Sequence, residues 1–206
     1  MIDVVIDISH HNGPSLNFAK AKAAGIIGVL HKASQGFSGL DPMYAANRRK
    51  AVNAGLMWGA YHFGTGGDGT AQADVFLKAA GNLEGNLLVL DFEPNLQGAT
   101  MTLGEARDFV GHIHDKTGRW PGLYSGNYLL EQLGAHKDPV LANCWLWMAR
   151  YGREPMVPAN WPNWTMWQWT DGAAGKNPLP VPGIGHCDRD RFNGTPEQLQ
   201  TLWGVA

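Results

Sequence analysis

Only two cysteines, Cys144 and Cys187, occur in the 206 residues. Two are too few for a disulfide framework, and neither lies in a CxxC or Cys/His spacing that would hold zinc. That leaves one bridge between them or two buried thiols as the alternatives. Long apolar runs are missing as well, and nothing approaches the roughly 18 consecutive residues of a membrane span. There is no basic excess: Lys plus Arg number 16 and Asp plus Glu 18, a formal net charge of −2. With no basic run, nucleic acid is not expected as a partner. The opening residues, Met1-Ile2-Asp3-Val4-Val5-Ile6-Asp7, lack a positive start and place acids where an apolar segment would be, so no secretory signal peptide is expected there. A GxSxG nucleophile elbow is absent. His10 and His11 are adjacent but have no spaced second cluster, which favours a loop or substrate contact over a metal site. No internal repeat or linker divides the chain, and its length suits a single domain over 1–206.

What is present is a chain that can fill a core, with 44% hydrophobic residues, and that can make many tight loops, with 27 glycines. Nine tryptophans, mostly in the second half, require a packing or binding reason. Residues 4–8 read as a buried strand, followed by polar Ser9-His10-His11-Asn12-Gly13. A helix over 18–24, stopped by Gly25, leads to a second strand over 26–30. Asp41-Pro42 predicts a helix start, with an acid at the cap and proline in the first turn, running to Ala54. A third strand covers 57–63, and Thr70 caps a helix to Ala80. Leu87-Leu88-Val89-Leu90 reads as a fourth strand, apolar on both faces. Thr102-Leu103-Gly104-Glu105 is a capping box opening a helix to about Lys116. A fifth strand over 122–125 and a short helix over 128–133 follow. Then the rhythm changes. Residues 145–149, 165–169 and 188–192 read as strands joined by Pro-, Gly- and Asn-rich stretches, before Thr195-Pro196-Glu197-Gln198 caps a last helix. Five β-α units followed by three strands predict an α/β fold, a TIM-like barrel short of helices at its end.

In such a barrel, chemistry sits at the C-terminal ends of the strands. Asp91 and Glu93 lie at the end of the fourth strand. Being two residues apart, they project to one face, and Pro94 ends the ladder for want of an N–H. Two acids side by side push one pKa up, which suits a proton donor with a carboxylate partner. A capping acid beside a solvated one is the competing reading. Asp7 ends the first strand, and Lys32, His62, Tyr124 and Gln168 fall at other strand ends. Asp188, Asp190 and Arg191 lie on the last strand, whose direction the sequence does not fix. If the barrel closes, Asp7 and Asp188 share a mouth with Asp91 and Glu93. Carboxylates around a pit bond hydroxyls and cleave glycosidic bonds, and aromatic faces stack on sugars. Trp145/Trp147 and Trp167/Trp169 are i, i+2 pairs, each on one strand face, with Trp145 and Trp203 expected in the core.

Laid out in this way, the chain resembles the glycoside hydrolase family 25 lysozymes, the Chalaropsis-type N-acetylmuramidases. The likeness rests on motifs in shared order over nearly the whole chain: Asp7-Ile8-Ser9-His10-His11-Asn12-Gly13, Lys32-Ala33-Ser34-Gln35-Gly36, Asn47 with Ala54-Gly55-Leu56, and Gly59-Ala60-Tyr61-His62-Phe63. It continues through Ala71-Gln72-Ala73, Leu90-Asp91-Phe92-Glu93, and the motifs at 146–151, 167–170 and 188–192. The resemblance implies a flattened β/α barrel and hydrolysis, with retention, of the β-1,4 bond between N-acetylmuramic acid and N-acetylglucosamine. It implies Glu93 as general acid and Asp91 as partner carboxylate, attacking the anomeric carbon or steadying a substrate acetamido group that does. Asp7 and Asp188 match substrate-orienting acids; Tyr61, Tyr124 and Gln168 match groove positions, and Lys32, His62 and Trp147 complete the expected binding residues. Three positions depart from the family pattern: Gln35 stands where Glu is usual, His31 where an apolar residue is usual, and Asp190 where Asn is usual. No metal or cofactor is expected, and a monomer is. The expected partner is bacterial peptidoglycan, met at the cell wall outside the cell or after phage delivery, as for an endolysin. A catalytically weak peptidoglycan- or chitooligosaccharide-binding module on the same scaffold is the competing reading, which the intact Asp91/Glu93 pair disfavours.

Overall fold

The alternation of short apolar strands and capped helices closes on itself in the computed structural model, which describes residues 1–175 and 178–205. The strands are β1 (Ile2–Ile8), β2 (Gly28–Gln35), β3 (Gly39–Leu40), β4 (Met57–Phe63), β5 (Asn86–Asp91), β6 (Gly122–Ser125), β7 (Trp145–Ala149), β8 (Met166–Thr170) and β9 (Asp188–Phe192). The α-helices are α1 (Phe18–Ala23), α2 (Tyr44–Asn53), α3 (Gly69–Ala80), α4 (Leu103–Thr117), α5 (Asn127–Leu133) and α6 (Pro196–Trp203). The sheet order is β1-β9-β8-β7-β6-β5-β4-β2-β3, and a β1–β2 pairing closes its first eight members into a barrel. β3 is appended as a hairpin, antiparallel to β2. Within the barrel every pairing is parallel except those of β9, which runs against both β8 and β1.

Several boundaries differ from the sequence reading, each for a local reason. Asp41 does not cap a helix at Pro42. Its carboxylate accepts from the His10 ring and backbone at 2.8 and 3.0 Å and from Met43 N at 2.9 Å, so α2 begins at Tyr44 with no side-chain cap. Asp68 rather than Thr70 caps α3, accepting from Ala71 N at 3.0 Å. β2 continues through polar residues to Gln35, because its ladder with β4 extends that far. The β3 hairpin has two residues, too few for any periodicity to reveal. The capping boxes at Thr102/Glu105 and Thr195/Gln198 form as expected. Cys144 and Cys187 are separate buried thiols, not a bridge, and burial pushes the Cys144 thiol up to about 12.

Two apolar layers position the strand ends. Outside the barrel, the outward residues Leu88, Leu90 and Phe92 belong to the same layer as Phe76 of α3 and Phe109, Val110 and Ile113 of α4. Inside, Val5, Leu30, Val89, Trp147 and Met166 fill the barrel, and Leu199 and Trp203 of α6 join them. α6 thus seals the end opposite the acids. The Trp203 indole is fully buried and donates to Trp58 O at 2.7 Å. Gly28 makes room for it: a Cβ there would lie 3.0 Å from the Trp203 ring. Trp167 and Trp169 point outward, away from the barrel mouth. No long helix follows β7 or β8, and guanidinium groups cover these rings instead: Arg191 lies 5.1 and 4.7 Å from the two ring centres and Arg189 lies 5.5 Å from Trp169.

Trp203→Ala is expected to destabilise the protein by about 3–5 kcal/mol, as for a large buried aromatic truncation, measured by urea unfolding. A loss below about 1 kcal/mol would mean that α6 does not hold this end closed. A reducing agent should leave the unfolding midpoint unchanged.

Candidate active site

Strand parity decides which side chains meet at the mouth. β1 and β2 run towards it and end there, so Asp7 lies near the top of the barrel. Because β9 is antiparallel, its first residue is at the same level, and Asp188 pairs directly with Asp7. Asp91 closes β5 opposite Tyr124 of β6, which faces Trp147 of β7. Gln168 of β8 stands opposite Asp190. Together these side chains enclose a pit of about 290 Å³. Its carboxylates are Asp7, Asp91, Glu93, Asp171 and Asp188; Tyr61, Tyr124, Tyr151, Trp147 and Gln168 complete the wall. A second recess of about 280 Å³ opens from it, shares Glu93, Tyr124 and Tyr151, and adds Asn127 and Arg150.

A hydrogen-bonded chain orders one wall. Tyr124 and Tyr151 each donate a hydroxyl to Gln168 Oε1, at 2.9 and 3.1 Å. With its oxygen so occupied, Gln168 presents its amide nitrogen to Asp7 Oδ2 at 2.9 Å. Beneath them the Trp147 indole donates to Asp190 Oδ1 at 2.8 Å, while Asp190 Oδ2 is buried without a partner. Asp91 Oδ1 is likewise buried and unpartnered. Neither oxygen has the donors that would favour a carboxylate.

The electrostatics follow from that burial. Asp91 is held well above the ordinary carboxylate range, first by burial and then by the neighbouring Glu93, with Lys32 pulling the other way. Glu93 is raised by burial and by Asp188, again opposed by Lys32. Asp7 is raised by burial and by Asp188 and Asp190, and its bond from Gln168 partly offsets this. Burial pushes Asp188 up to about 6. The site therefore holds protons that the same residues would release in water, as a proton donor requires.

Not every residue expected at the site lies in the pit. His62 is a correction: it lies on the opposite face of β4 from Tyr61 and is fully buried. There it meets Ser34 Oγ at 2.8 Å and Gln72 Oε1 at 3.3 Å and stacks on Phe109. Burial lowers it to about 4, so it serves as a neutral strut between sheet and helices. Lys32 is at the mouth but lines an adjoining recess with Gln35, His10 and Asp41. Tyr151 and Asp171 were missed as site residues, because they follow β7 and β8 in irregular loops without periodicity. Tyr151 had one signal, its place at the end of the 146–151 motif. A larger cavity, about 820 Å³, lies elsewhere, between α2 and the end of α3, and its charged residues are Arg48, Arg49 and Glu84. Among the described residues no group of three His, Cys, Asp or Glu side chains is arranged to hold a metal ion.

The sequence model of glycosyl hydrolases family 25 matches residues 6–176. The chain belongs to that family. It is a glycoside hydrolase of the lysozyme type, and its acidic pit lies where a barrel enzyme carries its chemistry. It is 33% identical to lysozyme M1 of Streptomyces globisporus over 212 residues, spanning 96% of this chain and 70% of that one. It is 32% identical to the N,O-diacetylmuramidase of a Chalaropsis species, over 82% of this chain and 88% of the relative. In three dimensions it is similar to the bacterial lysozyme of Streptomyces coelicolor, with a TM-score of 0.85 and 32% identity over the whole of both chains. The family 25 lysozyme of Aspergillus fumigatus matches with a TM-score of 0.82 and 32% identity over 96% of each chain.

Each raised acid is expected to contribute less to stability as pH rises. A carboxyl whose folded pKa exceeds its unfolded value favours the fold while protonated, and that contribution disappears as pH climbs through the folded value. For Asp188 the window runs from the model-peptide value of 3.8 to about 6. Asp188→Asn keeps the neutral form at every pH. It should therefore raise stability by about 1–3 kcal/mol at pH 8 and by little at pH 4, as thermal unfolding at both pH values would show. Equal stability of the two proteins at pH 8 would contradict a buried, costly charge at this position.

Proposed function

We propose that the enzyme hydrolyses the β-1,4 bond between N-acetylmuramic acid and N-acetylglucosamine in bacterial peptidoglycan, with net retention at the anomeric carbon. The observation that carries this reading is the Asp91/Glu93 pair in the wall of an acid-lined pit at the C-terminal end of the barrel. Two carboxyls this close share a proton more readily than they both ionise. Glu93 is the general acid. It stands at the open edge, common to the pit and the recess beside Asn127 and Arg150, where a leaving sugar has room. Its carboxyl proton passes to the glycosidic oxygen as the C–O bond breaks. Asp91, deeper and buried, is the partner: with substrate bound, the single proton that the pair shares sits on Glu93 and Asp91 is the carboxylate. Its negative charge stabilises the positive charge growing on the anomeric carbon, by attack there or by steadying a substrate acetamido group that attacks. Water oxygen then bonds the anomeric carbon as the bond from that carbon to Asp91 or to the acetamido oxygen breaks, and Glu93, now a carboxylate, takes the water proton and returns to its starting form.

The remaining residues orient the sugar. Asp7 and Asp188 accept from sugar hydroxyl or amide groups. The Tyr124–Gln168–Asp7 chain fixes their geometry, and Tyr61 and Trp147 offer ring surface at the pit wall. The names of the relatives, a lysozyme and N,O-diacetylmuramidases, support the choice of substrate, and the enzyme is proposed to work on the cell wall as a monomer.

The test is release of reducing ends from purified peptidoglycan. Glu93→Gln should lower kcat by about 10³-fold or more, since loss of general acid catalysis alone is worth 10²–10⁴-fold, while binding to peptidoglycan persists. Asp91→Asn should be similarly impaired. The reducing end exposed should be muramic acid, and NMR of the first product should give the β anomer. Wild-type protein that binds peptidoglycan without releasing reducing ends would support the binding-module reading instead.

A further inference from the structure

Lys32 stands at the mouth among acids yet forms an ion pair with none of them among the described residues. It lies opposite Tyr61 in the β2–β4 ladder. Its ammonium lies 5.1 Å from the centre of the Phe63 ring, and Phe63 is the β4 partner of Asp91. What fixes the ammonium is Gln35, three residues on, whose Oε1 accepts from Nζ at 2.6 Å. A neutral acceptor aims an ammonium without cancelling its charge, whereas a carboxylate in that position would do both.

The other titratable groups around this corner do not take over that role. Asp41 lines the same recess but is engaged by the His10 ring and backbone. His62 of β4 is on the far side of the strand and neutral, and His31 is buried behind β2 with its charged form disfavoured by that burial. Tyr61 of β4 faces the pit as an uncharged phenol. Asp91 and Glu93 at the end of β5, and Asp7 and Asp188 across the mouth, are acids. Lys32 is the cation that opposes burial at both Asp91 and Glu93.

We propose that Gln35 is a positioning residue for catalysis: it holds the Lys32 ammonium at the edge of the pit with its charge uncancelled, so that Lys32 sets the working pH of the Asp91/Glu93 pair. The inference rests on the reading of Glu93 as proton donor. A positive charge held near both carboxyls lets the pair give up protons at lower pH than burial alone would allow. Gln35→Glu keeps the shape of the side chain and its hold on Lys32, but adds the cancelling charge.

The experiment is the pH profile of kcat/KM on solubilised peptidoglycan between pH 3 and 9 for wild type, Gln35→Glu, Lys32→Met and Glu93→Gln, with circular dichroism confirming the fold of each. Gln35→Glu should move both limbs upward by about half a pH unit or more, and Lys32→Met should move them at least as far. A Gln35→Glu profile that overlays wild type while Lys32→Met shifts would overturn the role of Gln35. If neither shifts, or Gln35→Glu alone shifts, Lys32 does not act through its charge and the proposal falls. These outcomes are separate from failure of the donor assignment, which would appear as wild-type turnover by Glu93→Gln. Carbon NMR titration of the carboxyl groups gives the same comparison without turnover, should a variant prove too slow to assay.

Discussion

The antiparallel pairing of β9 with β1 is the constraint on which the site depends. A ninth strand running the other way would carry Asp188 to the sealed end of the barrel, next to α6. Antiparallel, it starts at the mouth and sets Asp188 directly opposite Asp7. The same register brings Asp190 in behind Gln168, where the Trp147 indole reaches it. One choice of strand direction thereby adds a second pair of acids to the pair that β5 already supplies.

Gathering acids in this way is unfavourable in itself, and the surrounding residues limit the cost in different ways. Gln168 uses one amide for two jobs: its oxygen collects the Tyr124 and Tyr151 hydroxyls, which forces its nitrogen towards Asp7. Trp147 satisfies one oxygen of Asp190 and leaves the other bare. Lys32 contributes charge from the rim without entering the pit. What is not compensated is met by proton uptake, because a buried carboxyl becomes neutral before it remains a charged orphan. A proton held in the pit is what the donor role proposed for Glu93 requires, so the instability of the pit and the chemistry proposed for it have one origin.

The far side of the barrel shows a different economy of parts. Helices α2, α3 and α4 cover the strands from β2 to β5. The last strands have no long helix after them, and their outward tryptophans are covered by the guanidinium groups of Arg189 and Arg191 from the adjacent strand. Arginine can serve here because its planar cation lies flat on an indole face while its edge stays near water. The tryptophan-rich half of the chain is in this part mainly structural, with Trp147 the indole that reaches the pit.

The sequence by itself determined the periodic features. Capped helices at Thr102 and Thr195, the doubly apolar run before Asp91, and the change of rhythm after Leu133 each follow from local rules of hydrogen bonding and burial, and they predict a barrel with its last helices missing. The i, i+2 spacing of Asp91 and Glu93 placed them on one face, because side-chain alternation along a strand is a local property. Only the tertiary structure decided what depends on a neighbour. Asp41 shares its carboxylate between Met43 N and His10, distant in sequence, and α2 starts only at Tyr44. His62 shares a motif with Tyr61 but faces the helices, since adjacent strand residues take opposite sides. Tyr151 and Asp171 reach the pit from irregular loops with no period to read. The direction of β9 was likewise beyond the sequence: a five-residue strand reads the same in either direction, and only the partners on both sides of it fix which end meets Asp7.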